Sequence, residues 1–310
     1  MKEHFLWVEK YRPSVIEDCI LPDNLKSIFK TLRDKGEIIN MMLSGGAGTG
    51  KTTVARALCE ELGADYIIIN GSEQRGIDMV RNTVMSFAGT MSTNGKTKVI
   101  ILDEADLITP EAQAALRNLM ETFSKNCRFI MTCNFKHKII PPLHSRCSVI
   151  DFSFDKSVLP QLQVQMAKRT FEILDTEGVE YQKPAVLEVI KKHTPDNRRI
   201  LNELQRYANI NGTIDAGMIA AVDSAKIKTL VSAMKGGDFK TCRQWIADNP
   251  DADSLFGELY EDIVDYVEPN SIPSLILIMG EYQHRAAFVA NAEINMAAFV
   301  VECMKSVKWK

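Results

Sequence analysis

The sequence predicts an α/β domain built on a parallel sheet with helices on both faces, followed by a small helical domain and a second helical domain. Three observations carry that prediction. Strand-like and helix-like runs alternate through the first 150 residues, strand signals stop after Asp151, and only helical periodicity follows. A chain of 310 residues also exceeds what one hydrophobic core serves, so two or three domains are expected. Their expected boundaries are 1–152, 153–221 and 222–310.

Ile38 to Leu43 reads as the first short strand, and SGGAGTGKTTVARALCEEL, from Ser44, as a loop running into a helix. Tyr66 to Ile69 is a β-rich run, followed by a helical stretch from about Gly76 to Phe87. Lys98 to Leu102 has the length and character of a buried parallel strand. Pro110 to Phe123 repeats Ala114, Leu116, Leu119, Met120 and Phe123 at helical spacing, and Arg128 to Thr132 and Ser148 to Phe152 are the last strands. Leu159 to Asp175, Ala185 to His193 and Arg198 to Asn209 read as the helices of an all-helical second domain. The third is broken by Gly236-Gly237, Asn249-Pro250, Pro269 and Pro273. Its last helix, Ala286 to Val307, is apolar over so much of its surface that its own domain or neighbouring copies must bury it.

Composition narrows the class. Hydrophobic residues make up 45% and charged residues 25%, which excludes a disordered tail or a fibre. No apolar run approaches the roughly 18 residues of a membrane span, and the first residues lack a signal-peptide core, so a cytoplasmic protein without membrane contact is expected. Seven cysteines without a CxxC pair point to buried free thiols. The net charge of −3 divides as 19 basic against 18 acidic residues in 1–152, 9 against 9 in 153–221, and 9 against 13 in 222–310. That is not the basic footprint of a dedicated nucleic-acid binder; DNA contact would need a local stripe, or several copies sharing the work.

The chemistry is concentrated in two motifs. GGAGTGKT at 45–52 fits GxxxxGK(S/T), with Gly45, Gly50, Lys51 and Thr52 at the fixed places, between a strand signal and a helix signal. Such a loop aims backbone N–H groups at phosphate oxygens, and the helix N-terminus adds partial positive charge. Lys51 would neutralise the β- and γ-phosphates of ATP and Thr52 would ligate Mg²⁺, with Gly48, Thr49 and Thr53 completing the cradle. VIILDEAD at 99–106 ends a buried strand in Asp103, a Mg²⁺-directed carboxylate, and Glu104, which can take a proton from an attacking water. Asn134, after the next strand, could orient that water, while Cys133 reads as core.

VEKYRP (8–13), the phosphate loop, NGSEQRGID (70–78), DEAD, TCN (132–134), SRC (145–147) and DNRRILNELQ (196–205) together resemble the AAA+ sliding-clamp loaders of the replication factor C type. In length and C-terminal sequence the chain is similar to the T4-type bacteriophage branch. The resemblance implies a P-loop NTPase domain, a helical lid and a helical collar, and a DNA-stimulated ATPase. It would work with other copies of itself and a distinct small subunit, probing primer–template DNA and opening a ring-shaped sliding clamp for a DNA polymerase. Residue by residue it implies that Arg146 is an arginine finger acting on a neighbouring subunit's nucleotide, and that Arg198 is the lid sensor and Asn134 the sheet sensor. It further implies that Val8, Glu9, Lys10, Tyr11 and Ile20 line the adenine, and that Arg75, Gly76, Ile77 and Thr109 meet template phosphates. Asn70 would restrain Glu104 until DNA arrives, and Gln113 would relay the signal. Met79, Val84, Met85 and Phe87 are either clamp-facing or core. Gly71-Ser72 departs from the Ala-Ser of many cellular loaders. The sequence alone leaves open another AAA+ motor, a P-loop kinase, or a scaffold that only binds ATP.

Overall fold

The computed structural model describes residues 5–73, 75–90, 92, 95, 97–218, 225–248, 253–261, 263–286, 289 and 291–310. The chain divides into two compact units, residues 1–219 and 220–310. The boundary expected at 221/222, the Asn249-Pro250 break and the side chain of Met79 lie outside the described residues.

In the first unit, β1 (Met41–Ser44), β2 (Tyr66–Asn70), β3 (Lys98–Asp103), β4 (Cys127–Cys133) and β5 (Ser148–Asp151) form one parallel sheet in the order β2-β3-β4-β1-β5. The two-residue period of a strand sorts its side chains onto the two faces. Met41, Leu43, Val99, Ile101 and Ile130 pack with Phe29, Val54 and Leu58 on one side. Met42, Ile100, Leu102, Phe129 and Met131 pack with Val84, Leu116 and Leu143 on the other. Helices α2 (Asp23–Lys35) and α3 (Lys51–Leu62) cover the first face, and α4 (Ile77–Ala88), α5 (Pro110–Thr122) and the short α6 (Pro141–His144) the second. A still shorter helix, α1 (Trp7–Lys10), precedes them. The register Asn70↔Asp103 and Leu102↔Met131 brings the ends of β2, β3 and β4 to one sheet edge. Lys98, at the head of a strand that is apolar from Val99 to Leu102, is buried; its ammonium donates to Phe87 O (2.9 Å) and Thr90 Oγ1 (2.5 Å).

Three helices follow: α7 (Leu159–Glu177), α8 (Lys183–His193) and α9 (Asn197–Asn211). The segment is not wholly helical. The two-residue strands β6 (Glu180–Tyr181) and β7 (Thr213–Ile214) pair in parallel, too short to leave a periodic signal in the sequence. Burial, reinforced by the cations Arg199 and Lys192, pushes the His193 imidazole at the end of α8 down to about 4. Its folded value lies below its unfolded one, so this contribution to stability is whole above pH 6.5 and is lost as pH falls from there toward 4. Denaturant unfolding at pH 7.5 and pH 5 is therefore expected to show a smaller pH-dependent loss for His193→Gln than for the native chain; equal losses would refute it.

The second unit contains α10 (Ala225–Gly236), α11 (Phe239–Asp248), α12 (Asp253–Glu261), α13 (Ile263–Tyr266), α14 (Ile272–Ala286) and α15 (Ala292–Ser306). Phe299 anchors its core, edge-on to Phe256 (5.0 Å) and Tyr282 (5.8 Å). The expected helix from Ala286 to Val307 is shorter than the composition implied. α14 ends at Ala286, and Asn291 caps a new helix by accepting from Ile294 N–H (3.2 Å). All seven cysteines are free thiols, six of them buried, and burial pushes Cys19, Cys59 and Cys303 up to about 12. Among the described residues no helix is long and apolar enough to cross a membrane.

Candidate active site

The phosphate loop leaves β1 beside the end of β4, where Gly45 N–H donates to Cys133 O (3.1 Å). Two of its glycines are sterically required. A Cβ on Gly45 would stand 2.6 Å from the Phe152 carbonyl carbon, and one on Gly48 (φ +69°) 1.7 Å from Asp196 Oδ1. Lys51 opens α3 and is only 8% exposed. Its ammonium donates to Gly45 O (2.8 Å), Gly46 O (2.6 Å) and Asn134 Oδ1 (3.1 Å), which uses its full complement of donors. Burial pushes its pKa below the ordinary lysine value. An ammonium held this way by neutral oxygens gains more from an anionic phosphate oxygen.

Across the sheet edge, Asp103 Oδ1 accepts from Thr52 Oγ1 (2.5 Å) and from Thr132 Oγ1 (2.6 Å). The Thr132 hydroxyl in turn accepts from Glu104 N–H (3.1 Å). Glu104 is the one non-glycine residue with positive φ (54°) among the described residues. A Cβ on Gly71 would fall 2.3 Å from Glu104 O, so glycine at 71 lets the β2–α4 turn pack on that carbonyl. Thr52 and Asp103 offer hard oxygen donors side by side, the donor type Mg²⁺ takes alongside substrate phosphates.

A cavity of about 1100 Å³, counting space open to solvent, runs from this edge to the N-terminal segment and the helices after the sheet. Val8, Tyr11, Ile20, Gly48 to Thr53, Asp103, Glu104, Asn134 and Arg198 all line it. Glu9 and Lys10 do not; Glu9 pairs with Arg12, and Lys10 with Glu177 at 2.7 Å. Asn197 N–H donates to Gly48 O (3.1 Å), so α9, which carries Arg198, starts on the phosphate loop.

Arg146 lies away from this cavity. Its guanidinium is paired with Glu121, and one nitrogen donates to Pro142 O (2.9 Å). That pairing holds the Glu121 carboxyl below its usual range. Asn70 accepts from Ser72 N–H (3.0 Å) and the Ser72 hydroxyl (2.8 Å) rather than bonding Glu104. Gln113 is buried, donating to Ile108 O (3.0 Å) and Lys138 O (3.1 Å) and accepting from Ile140 N–H (2.9 Å), so it joins the start of α5 to the loop after Asn134. The starts of α4 and α5 lie side by side, with Thr109 N–H donating to Arg75 O (3.1 Å) beside Gly76 and the exposed Ile77. Val84 is core and Phe87 packs against it, which leaves Met85 exposed on that helix.

The AAA family model, ATPase family associated with various cellular activities, matches residues 41–154, and the sliding-clamp-loader large subunit AAA+ ATPase lid domain matches residues 160–220. Across its whole length the chain is 39% identical to the sliding-clamp-loader large subunit of Enterobacteria phage T4, covering 98% of that protein. The chain belongs to the sliding-clamp-loader family of AAA+ ATPases. The corresponding subunit of Escherichia phage RB69 is 37% identical over 100% of this chain and 98% of its own. The replication factor C small subunit of Archaeoglobus fulgidus is 33% identical over 97% of each. The Holliday junction branch migration motor RuvB of Thermotoga maritima shares the fold at a TM-score of 0.55 and 16% identity, over 79% of this chain and 87% of that one.

As a clamp-loader ATPase, the chain also places side chains at its cavity that the sequence reading passed over: Arg12, Thr132, Met166, Arg169, Ile173 and Leu201. A signal existed for some of them. Met166, Arg169 and Ile173 recur at helical spacing on α7, and Thr132 stands two residues before Asn134, one strand period away.

Proposed function

We propose that this chain is the ATP-driven subunit of a loader in which ATP binding assembles several copies of it, with a distinct small clamp-loader subunit, into a five-membered spiral. The spiral holds a ring-shaped sliding clamp open, and primer–template DNA triggers hydrolysis and release during DNA replication. The observation that carries the reading is the 39% identity to a sliding-clamp-loader large subunit along the entire chain. The partition at 152 and 221 into nucleotide-binding, lid and collar domains, and a location in the cytoplasm of a phage-infected cell, belong to the same reading.

In this mechanism Lys51 meets the β- and γ-phosphates from the loop, and Asn134, already bonded to its ammonium, orients the attacking water. Glu104 takes the water's proton as the bond to the γ-phosphorus forms and ADP leaves. Thr52 and Asp103 would hold Mg²⁺, which when bound neutralises charge on the phosphate oxygens. Arg146 comes from the neighbouring copy, a role that fits its position outside its own cavity, and Arg198 reports occupancy to the lid. Arg75, Gly76, Ile77 and Thr109 track template phosphates through two helix starts, a contact that reads shape rather than sequence. Gln113 passes that contact toward Asn134 and Arg146.

Steady-state ATP hydrolysis with the small subunit tests the reading directly. Primer–template DNA is expected to raise turnover at least about tenfold over single-stranded DNA, a barrier change of about 1.4 kcal/mol, and the clamp to raise it further. Turnover indifferent to primer junctions and clamp would overturn it, and duplex unwinding without a clamp would favour a translocating motor instead.

A further inference from the structure

We propose that Thr132 is a positioning residue of the hydrolytic site, a hydroxyl clip that fixes the Asp103 carboxylate and the Glu104 main chain together. The proposal rests on Glu104 serving as the base. Thr132 is 2% exposed and stands one residue beyond the last paired positions of β3 and β4, Leu102 and Met131. At that point the β3 chain turns out of the sheet into a left-handed conformation at Glu104 (φ 54°, ψ 46°), and the amide of Glu104 has no ladder carbonyl to bond. The Thr132 hydroxyl accepts that amide at 3.1 Å and sends its own proton to Asp103 Oδ1 at 2.6 Å. Thr52 donates to the same oxygen from the other side at 2.5 Å. The result is a one-way chain from the Glu104 amide through Thr132 to Asp103, in which each bond polarises the next.

A residue in an unfavourable backbone region keeps it only where its surroundings over-determine it. Here the Gly71 turn packs on the carbonyl side of Glu104, and Thr132 holds the amide side. One hydroxyl thereby sets where the Glu104 carboxylate starts and which Asp103 oxygen stays free. Were Thr132 merely a core residue, like Ile130 and Met131 before it, its methyl would matter and its hydroxyl would not.

Thr132→Val keeps the branched shape and strand preference and removes the hydroxyl; Thr132→Ser keeps the hydroxyl. With the small subunit, clamp and primer–template DNA present, the valine variant is expected to lose about 10- to 100-fold in kcat, the scale of a misplaced catalytic group, with KM for ATP within about twofold. Binding of a fluorescent ATP analogue should stay at its native value, the melting temperature should fall by only a few degrees for the amide left unbonded, and the serine variant should recover kcat to within about threefold. In a Glu104→Gln background, Thr132→Val should cost clearly less than it does in the native chain, because the part of its effect that passes through Glu104 is already lost. Native kcat in the valine variant, a serine variant as slow as valine, or losses that multiply with Glu104→Gln would each overturn the proposal. A fully active Glu104→Gln would instead overturn the base assignment, so the two failures are distinguishable.

Discussion

Lys51→Ala is expected to abolish ATP turnover and every nucleotide-dependent assembly step while leaving the fold intact. The side chain lies at a helix start, so its loss opens no core cavity, yet it leaves Gly45 O, Gly46 O and Asn134 Oδ1 without their donor. More important is the charge. Preorganised electrostatic groups of this kind contribute about 10²- to 10³-fold each in rate, and in the proposed site this one would also contribute to ground-state phosphate binding. Equilibrium nucleotide binding and sedimentation with and without ATP check the expectation; a variant that still assembles on ATP addition would refute it. The pH dependence has a definite sign. Burial lowers the lysine pKa, so the native chain should lose ATP affinity on the alkaline side earlier than a surface lysine, with its unperturbed value of 10.5, would allow.

Arg146→Ala is expected to behave in the opposite way, binding ATP normally and losing DNA-stimulated turnover by about 10³-fold or more. Within its own chain this arginine is engaged by Glu121 and Pro142 and does not border the nucleotide cavity, so its removal leaves that chain's binding site unaltered. A finger acting in trans makes a sharper demand. Mixing Lys51→Ala and Arg146→Ala chains, each inactive alone, should restore a fraction of the turnover. Some interfaces then pair an intact phosphate loop with an intact arginine. Normal stimulated turnover of Arg146→Ala alone, or no recovery on mixing two inactive chains, would remove the assignment.

The sheet was legible in the sequence because its three central strands, β1, β3 and β4, are buried on both faces and read as nearly unbroken apolar runs, with the helices supplying the contrast. The phosphate loop and the Asp103–Glu104 pair were legible because backbone geometry restricts what residues can stand there. What escaped had no such restriction. α2 occupies a stretch the sequence reading left unassigned, and the β6–β7 pair is two residues long on each side. The break at Asn291 hid inside an apolar segment whose cap is a single polar residue. Glu9 and Lys10 belong to the motif that carries Val8 and Tyr11, but a helical turn points neighbours in different directions, and Val8, Tyr11, Arg12 and Pro13 border the cavity while Glu9 and Lys10 do not. The position of Thr132 had a signal, but the role of its hydroxyl was hidden for another reason. A threonine in a buried strand is ordinary by composition, and only the coordinates reveal where its hydroxyl is spent.

The hydrogen bond from Asn197 to the Gly48 carbonyl makes the phosphate loop the foot of a lever. α9 has 15 residues, so it is about 22 Å long, and a tilt of about 5° at its foot moves its far end by about 2 Å. Part-way along, Gln205 grips the N-terminal segment, accepting from Trp7 N–H (3.0 Å) and donating to Phe5 O (2.8 Å). With a nucleotide bound as proposed, a small adjustment of one peptide around a phosphate group would swing the wall that carries Val8 and Tyr11, and the two ends of the nucleotide would be mechanically geared to each other through a single helix.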